Sequence, residues 1–247
     1  MSRDMDKYER DYSGSFFETT YQMKFRRRKV LEIINSTKHD NILEIGCGLD
    51  SIGKYIDNYE KIYIVEPIQR FCKKAEMDLQ NDNIKIINGL FEEKAHLLMN
   101  QKYDMIIVSS LLHELEDPRG FLLLLKNICQ KDTLVHVNVP NKLSIHRILA
   151  FESGIIGSTN DLSGRNVLLQ QNKVYDIDTI SKLISEVGGV IRDKGTYFIK
   201  PFSHSQMEKC IEMSIINENI LEGFYNIASY FPENGSEIYV NFHFNVD

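Results

Sequence analysis

The sequence has few turn-forming residues and no excess of positive charge. Fourteen glycines and five prolines in 247 residues exclude a collagen-like or low-complexity chain. Lysine and arginine number 29 against 35 aspartates and glutamates, which gives a formal charge of −6. General binding to a nucleic-acid backbone needs an excess of cations. We therefore predict an ordinary globular protein that acts on a small molecule and not on nucleic acid.

Paired cysteines, metal-ligand spacings and long hydrophobic runs are also missing. The four cysteines, at positions 47, 72, 129 and 210, show no Cys-x-x-Cys spacing, and isolated cysteines fit a reducing compartment. No histidine has metal-ligand spacing with Cys, Asp or Glu. Apolar runs such as residues 121–125 are too short to span a bilayer, and the charged N-terminus has no apolar core of a signal peptide. We predict a cytoplasmic protein without a metal or a membrane partner, either a monomer or a homodimer.

From residue 41 onward, apolar runs alternate with helical patterns. Strands are predicted at residues 42–45, 61–65, 84–87, 103–108, 133–139, 190–192, 196–200 and 237–244. Helices are predicted over residues 51–57, 69–80, 92–99, 119–129, 178–187 and 205–223. Strands separated by helices indicate βαβ units, hence an α/β fold with a parallel sheet and helices on both of its faces.

Two kinds of segment surround this core. Residues 1–39 are predicted to form an N-terminal helical cap, because aromatic residues recur there at helical spacing, namely Tyr8, Tyr12, Phe16, Phe17, Tyr21 and Phe25. The basic run at 26–29 is either a solvated helix face or an anion contact, which makes Arg26 and Tyr21 candidate substrate residues. Residues 40–247 form the main domain, with lid insertions at about 141–175 and 200–235.

Two features at the predicted strand ends suit a nucleotide-like ligand. Gly46 and Gly48 follow the first strand and would let a ligand approach the backbone at the sheet edge where α/β proteins bind ligands. The third glycine of a nicotinamide fingerprint would fall at Ser51, so that fingerprint fails, and a plain tight turn is the alternative. Glu66 ends the second strand and could accept hydrogen bonds from both ribose hydroxyls, or could be an exposed surface acid.

A third motif, SSLLHELEDP at residues 109–118, follows the fourth strand. Together with LEIGCG (43–48) and Glu66, it resembles the class I S-adenosylmethionine-dependent methyltransferases over about residues 40–140. The resemblance implies a doubly wound, mostly parallel seven-stranded sheet of the Rossmann-like methyltransferase type, with helical lid segments. It also implies S-adenosyl-L-methionine as cofactor and S-adenosyl-L-homocysteine as product.

The same resemblance implies a set of cofactor contacts. The glycine turn would approach the methionine part, Glu66 would hold the ribose, and Ser109 and Leu112 would lie along the methionine chain. Leu90 and Phe91 would flank the adenine. The full set is Glu44, Gly46, Cys47, Gly48, Glu66, Pro67, Leu90, Phe91, Ser109 and Leu112. Asp50 stands where the family often has glycine.

A narrower resemblance involves residues 139–147 (VPNKLSIHR), 173–176 (KVYD) and 237–240 (EIYV). These segments are similar to a subgroup of small-metabolite methyltransferases. Some members of that subgroup decorate bacterial surface polysaccharides, including O-methyl phosphoramidate capsule groups. The resemblance implies a role in capsule biosynthesis.

His113 and His146 are the candidate catalytic residues. Histidine titrates near neutral pH and could act as a general base, although His113 could instead only pack over the cofactor. His146 and Arg147 suit an anionic acceptor, since arginine binds phosphate or carboxylate through two hydrogen bonds, but they could also be a charged helix surface. We predict methyl transfer to an oxygen of a small polar metabolite, on a sugar, nucleotide-linked or phosphate-type group. The alternatives are a nicotinamide oxidoreductase and a non-catalytic binding module.

Overall fold

A seven-stranded sheet forms the centre of the protein, which a computed structural model describes over residues 5–11, 16–168, 170–171 and 173–246. The strands are β1 (Asn41–Ile45), β2 (Lys61–Glu66), β3 (Ile84–Asn88), β4 (Met105–Ser109), β5 (Leu134–Pro140), β6 (Gly189–Tyr197) and β7 (Glu237–Phe244). Their order in the sheet is β3-β2-β1-β4-β5-β7-β6. Strands β1 to β5 are parallel, and β7 is antiparallel to both of its neighbours. The predicted doubly wound, mostly parallel seven-stranded fold is confirmed.

The strand order reverses between β1 and β4. From β1 the chain first crosses to β2 and β3 on one side, and then to β4 and β5 on the other. The central side chains of β1, β2, β4 and β5 are buried, which explains the continuous apolar runs that a parallel sheet covered on both faces requires. The edge strand β3 is more exposed. Ligands bind at such a reversal, outside the carboxyl ends of the strands.

Ten α-helices surround the sheet in the described ranges. They are α1 (Met5–Asp11), α2 (Met23–Asn35), α3 (Gln69–Asp78), α4 (Phe91–Lys94), α5 (Pro118–Lys126), α6 (Ile145–Glu152), α7 (Gly164–Leu168), α8 (Ile177–Glu186), α9 (His204–Glu212) and α10 (Glu218–Asn226). A π-helical turn spans Glu18–Gln22, and 3₁₀ turns span Ile52–Tyr55, Ala95–Leu97 and Ile227–Tyr230. Among the described residues, no helix combines the length and apolar character that crossing a membrane requires.

Several predicted elements differ from the structure. The helices predicted at 51–57 and 92–99 are a 3₁₀ turn and a short helix followed by a 3₁₀ turn. The helix predicted at 205–223 is two helices, because Ser214 adopts a φ of +58° after α9 and the Asn217 side chain caps the start of α10. The irregular insertion after residue 140 contains α6 and α7.

The two strand-like pieces predicted at 190–192 and 196–200 also differ, because they form one strand. The register of β6 against β7 shifts between Ile191 and Asp193, and this irregularity explains the interrupted pattern. Strand β6 ends at Tyr197. Residues 198–200 therefore lie beyond the sheet, and Lys200 lines the cavity described below.

The N-terminal segment packs on the C-terminal helices. Phe17 and Phe25 are fully buried, and the Phe25 ring stacks on Phe198 at 4.4 Å between centroids and on Tyr225 at 5.5 Å. Tyr12 and the side chain of Tyr8, which belong to the predicted aromatic face, lie outside the described residues. The aromatic spacing of this segment therefore reflects a packing interface with residues almost 200 positions away in the sequence.

Candidate active site

A cavity of about 290 Å³ lies at the carboxyl ends of β1, β2, β4 and β5, and residues of the N-terminal segment and of the lid contribute to its wall. This size is at the lower end for small-molecule sites. The structure brings eleven of the fifteen predicted site residues into its wall. They are Arg26, Glu44, Gly46, Cys47, Gly48, Glu66, Pro67, Ser109, His113, His146 and Arg147.

Four predicted site residues do not line this cavity. Phe91 is buried in the core, where its ring packs on Phe121 at 5.0 Å between centroids. Leu112 is fully buried in the same core, whereas Leu90 is exposed at the surface before α4. Tyr21 packs against Phe17. A sequence motif indicates which turn approaches a site, but not which side chains of the turn point into the core.

The glycine turn after β1 takes a conformation that favours glycine. Gly46 has a φ of +79° and Gly48 a φ of +57°, both in the left-handed region. A Cβ atom on Gly46 would lie 3.8 Å from a methyl carbon of Leu111, so backbone conformation and not space is the constraint there. The Gly46 N–H donates to the Val65 carbonyl at 2.8 Å, which joins the turn to the end of β2.

Glu66 is buried beside this turn. Its Oε2 accepts the Gly48 N–H at 3.0 Å, and its Oε1 accepts the Ile68 N–H at 2.9 Å. Burial raises the pKa of Glu66, and the two backbone donors oppose that shift. Each carboxylate oxygen has a second lone pair, so Glu66 can hold the turn and still accept hydrogen bonds from ligand hydroxyls.

A second carboxylate, Glu44, lies one strand away. It accepts hydrogen bonds from the Ser51 hydroxyl and, at 3.0 Å, from the Ile52 N–H. Burial raises the pKa of Glu44 to about 7. The neighbouring thiol of Cys47 also has its pKa raised by burial, which leaves it protonated and unreactive. Through these hydrogen bonds, Glu44 holds the residues that follow the glycine turn, Ser51 and Ile52, against β1.

Asp50 connects this turn to the N-terminal segment. Arg27 donates to Asp50 Oδ2 at 2.5 Å and to the Tyr55 hydroxyl at 3.0 Å, and its guanidinium carbon lies 4.1 Å from the centre of the Tyr55 ring. The Tyr55 hydroxyl in turn donates to Asp50. Here the residue that departs from the usual family glycine anchors α2 beside the cavity.

The β4 edge of the cavity is built around Asn138. The Ser109 hydroxyl donates to Asn138 Oδ1 at 3.2 Å, and the Ser110 N–H donates to the same oxygen at 3.0 Å. His113 is buried, with Nε2 3.9 Å from Glu114 Oε1. Gln171, in the lid, donates to Glu114 at 3.2 Å. These contacts connect the lid to the end of β4.

On the β5 side, α6 carries His146 and Arg147. Within the described part of the chain, His146 Nδ1 is buried and has no hydrogen-bond partner. Burial, and then the positive charges of Lys200, His204 and Arg147, lower the pKa of His146 well below its usual value. The His146 imidazole is therefore neutral at physiological pH. The neighbouring Arg147 side chain donates to the carbonyls of Thr159 at 2.9 Å and Asp161 at 2.5 Å.

The cavity wall also contains residues that sequence patterns did not indicate, among them Gln22, Lys200 and His204. Gln22 Oε1 accepts hydrogen bonds from Lys200 Nζ at 3.3 Å and His204 Nε2 at 2.8 Å. The Gln22 amide nitrogen donates to Glu237 at 2.8 Å. Contacts between residues 178 or more positions apart leave no periodicity or motif in the sequence.

Arg26 also lines the cavity, but a buried carboxylate of the protein neutralises its positive charge. Its guanidinium forms a two-pronged ion pair with Glu237, which is fully buried and also accepts the Tyr197 hydroxyl at 2.8 Å. Burial alone would raise the pKa of Glu237, but Arg26 and its other donors lower it to about 2. A buried carboxylate thus already neutralises Arg26, and a contact of Arg26 with an anionic substrate stays a prediction.

Comparison with known proteins identifies the domain at the centre of the chain. Residues 43–137, which include the glycine turn, Glu66 and the β4 edge, match the family model described as a methyltransferase domain. The central part of this chain is a methyltransferase domain. No curated protein sequence matches the chain.

Solved structures of similar fold include several methyltransferases. An SAM-dependent methyltransferase from Archaeoglobus fulgidus has a TM-score of 0.59 at 14% identity and covers 92% of this chain and 97% of its own. The N-methyltransferase NodS from Bradyrhizobium japonicum, solved with S-adenosyl-l-homocysteine, has a TM-score of 0.60 at 11% identity and covers 98% of each chain. The plantazolicin methyltransferase BamL, solved with a triazolic substrate analogue and S-adenosyl-l-homocysteine, has a TM-score of 0.61 at 13% identity, over 99% of this chain and 92% of its own. At these identities the likeness establishes the fold.

The methyltransferase assignment replaces the nicotinamide oxidoreductase alternative. It agrees with the failed glycine fingerprint at Ser51, whose hydroxyl instead binds Glu44. Within the described ranges of the methyltransferase, no group of three His, Cys, Asp or Glu residues is arranged to hold a metal ion.

Proposed function

We propose that this methyltransferase binds S-adenosyl-L-methionine at the glycine turn and transfers the methyl group to an oxygen of a small polar acceptor near His146. The observation that carries the proposal is that one cavity joins the two groups of residues. Gly46, Gly48 and Glu66 lie in its wall together with His146 and Arg147.

The wall at the glycine turn fits the cofactor in shape and in chemistry. The left-handed turn at Gly46 and Gly48 leaves the backbone open to the methionine part. Glu66, already oriented by two backbone donors, would accept the ribose hydroxyls. Phe71 and Leu49, which pack together with Ile68, provide an apolar surface for a base.

S-adenosyl-L-methionine supplies a methyl group on a positively charged sulfur; transfer breaks the S–CH₃ bond, forms an O–CH₃ bond, and releases S-adenosyl-L-homocysteine and the hydroxyl proton. The protein must align the acceptor oxygen, and orientation of this kind can lower a barrier by about 7–11 kcal/mol in the best cases. His146 is our candidate for the proton acceptor, because its ring is neutral and its Nδ1 has no hydrogen-bond partner among the described residues. His113 is the second candidate, since it lines the same cavity.

We place the acceptor among sugars, nucleotide-linked sugars and phosphate or phosphoramidate groups, in capsule or surface-polysaccharide biosynthesis. Support comes from the subgroup resemblance at residues 139–147, 173–176 and 237–240. In the structure the first of these segments contacts the second, and also contacts the end of the proposed lid insertion at 200–235. Asn141 donates to the Gly235 carbonyl at 2.8 Å, and Lys142 pairs with Asp176 at 3.0 Å. The residues in which this chain resembles the subgroup thus support a similar lid. We infer the class of acceptor from that similarity.

We further propose that the acceptor is a small molecule and not a nucleic acid, and that the protein acts in the cytoplasm without a membrane partner, as a monomer or homodimer. The four cysteines are all free thiols, which suits a reducing compartment. The negative formal charge suits a small-molecule acceptor better than a nucleic-acid strand.

A binding and turnover experiment tests the proposal. We expect S-adenosyl-L-methionine and S-adenosyl-L-homocysteine to raise the melting temperature, because a ligand that binds only the folded state stabilises it. NAD serves as the control and should have no effect. Transfer of a labelled methyl group to a panel of sugar phosphates, nucleotide sugars and neutral sugars then identifies the acceptor. Stabilisation by NAD alone contradicts the proposal, and cofactor binding without transfer to any acceptor would indicate a binding module.

A further inference from the structure

Lys200 is a buried lysine in the wall of the cavity. Only 4% of its surface is exposed, although lysine is almost never buried to this extent without a specific role or partner. It comes from the segment between β6 and α9, far from every motif that indicated the site. Its position therefore needs a structural explanation.

The backbone beside Lys200 is strained. Phe198, two residues earlier, has a φ of +57°, which is uncommon for a bulky side chain. Its ring is held by stacking on Phe25 at 4.4 Å between centroids and on Phe17 at 6.3 Å. The turn at Phe198 takes the chain out of β6 and into the cavity wall, and aromatic packing from the N-terminal segment stabilises it.

Gln22 fixes the direction of the Lys200 side chain. Glu237 is a carboxylate and only accepts hydrogen bonds, so the Gln22 amide nitrogen must face it. The Gln22 carbonyl oxygen is therefore oriented toward Lys200 Nζ and His204 Nε2. A buried carboxylate thus positions, through one amide group, two nitrogen donors at the cavity wall.

The charges near His146 are positive on balance. The three charged groups that act on its ring are Lys200, His204 and Arg147, and all of them lower its pKa. Two acids of the wall face other groups, since Glu18 lies 3.7 Å from His204 Nδ1 and Glu114 lies 3.9 Å from His113. Glu237, which does not line the cavity, is paired with Arg26. An oxyanion entering beside His146 would meet this positive field.

We propose that Lys200 and Arg147 form a subsite that binds a phosphate-type oxyanion of the acceptor, and that Gln22 is its positioning residue. This inference rests on the proposed function and narrows it, since it requires the acceptor to be an anion. Ammonium and guanidinium groups both form strong charge-assisted hydrogen bonds with phosphate oxygens. An acceptor bound in this way would place a hydroxyl beside its anionic group close to His146.

Histidine NMR spectra of the full chain, titrated with inorganic phosphate, test the subsite. The chain has seven histidines, and two of them, His146 and His204, line the cavity with Lys200; His204 and Lys200 both donate to Gln22 Oε1. We expect phosphate to shift the ring signals of these two, which share the cavity wall with Lys200, and to leave those of His39 and His96, which do not line the cavity, unchanged. The Lys200→Met variant should bind phosphate about tenfold more weakly or worse, and Lys200→Arg should keep most of the affinity.

The controls separate this inference from the proposed function. Lys182→Met, which changes an exposed lysine on α8 outside the cavity wall, should bind phosphate as the wild type does. The affinity for S-adenosyl-L-homocysteine should be equal in the wild type and Lys200→Met, which also shows that the variant is folded. Gln22→Met should weaken phosphate binding while leaving the affinity for S-adenosyl-L-homocysteine unchanged.

Two results overturn the subsite: no phosphate-dependent shift of His146 or His204 in the wild type, or equal shifts in Lys200→Met. If S-adenosyl-L-homocysteine binds in either case, the proposed function stands and only the subsite fails. If the wild type does not bind S-adenosyl-L-homocysteine, the proposed function fails, whatever phosphate does.

Discussion

The two ends of the cavity are built in different ways. The proposed cofactor end consists of the glycine turn and Glu66, at two neighbouring strand ends joined by hydrogen bonds from backbone N–H groups over at most 20 residues of sequence. The proposed acceptor end joins Gln22, Lys200 and His204 through side-chain hydrogen bonds, with His146 in the same cavity wall, and Gln22 and His204 are 182 positions apart. Local geometry determines the first end, and packing between distant segments determines the second.

The two ends also differ in charge. At the cofactor end, the carboxylates Glu44 and Glu66 are buried, and burial raises the pKa of each. At the acceptor end, burial and the cations around it lower the pKa of His146. A nearby positively charged sulfur would favour the ionised form of these carboxylates, which burial disfavours, and the cations around His146 suit an anionic acceptor. Four predictions test this division, beginning with the largest expected effect.

Replacement of the His146 imidazole should affect the acceptor end strongly and the cofactor end very little. We expect His146→Gln to lower kcat by about 10²–10⁴-fold, the usual contribution of a general base, with little change in affinity for S-adenosyl-L-homocysteine. Labelled methyl transfer and calorimetry measure the two quantities. His113→Gln is the matched comparison. Normal turnover in His146→Gln together with a large loss in His113→Gln would reverse the assignment.

At the cofactor end, Glu44 should make folding stability depend on pH. Its pKa is raised to about 7 in the folded protein from an ordinary 4.5, so its contribution is fully present below pH 4.5 and is lost as pH rises through 7. From pH 4.5 to 8, the free energy of unfolding of the wild type should fall by about 3 kcal/mol relative to Glu44→Gln. Urea unfolding at several pH values measures this, and parallel pH curves for the two proteins would contradict it.

Loss of the ribose acceptor should affect only the cofactor end. Glu66→Ala should weaken binding of S-adenosyl-L-homocysteine by about 1.5–3 kcal/mol, because it removes hydrogen bonds to a charged group. Binding of phosphate at the other end should not change. Calorimetry on this variant and on Glu76→Ala, an exposed acid on α3, provides the test. Equal affinities in both variants would remove Glu66 from the cofactor site.

The smallest expected effect concerns Arg147. Its side chain is already held by two lid carbonyls, so it has less freedom to follow a ligand than Lys200. Arg147→Met should raise the KM for an anionic acceptor by about fivefold, roughly 1 kcal/mol, with kcat nearly unchanged, as expected when uniform binding is lost. Arg192→Met, an exposed arginine on β6, is the control. An unchanged KM would place the acceptor elsewhere in the cavity.

The predictions made from sequence succeeded where the chain is locally regular. The parallel strands were predicted because apolar runs alternate with helices, and the glycine turn because two glycines follow a strand. Errors arose where one residue ends an element, as Ser214 does after α9, or where a side chain turns to the core, as Phe91 and Leu112 do. Neither event leaves a periodic pattern.

The order of residues alone established the strand–helix alternation, the open turn at Gly46 and Gly48, and the acid at the end of β2, because each depends on contacts between near neighbours in the chain. Only the tertiary structure showed that Glu237 neutralises Arg26, and that Gln22 holds Lys200 and His204 at the cavity wall. Those contacts join residues from opposite ends of the chain, and a buried charge finds its partner through folding in three dimensions and not through spacing in one.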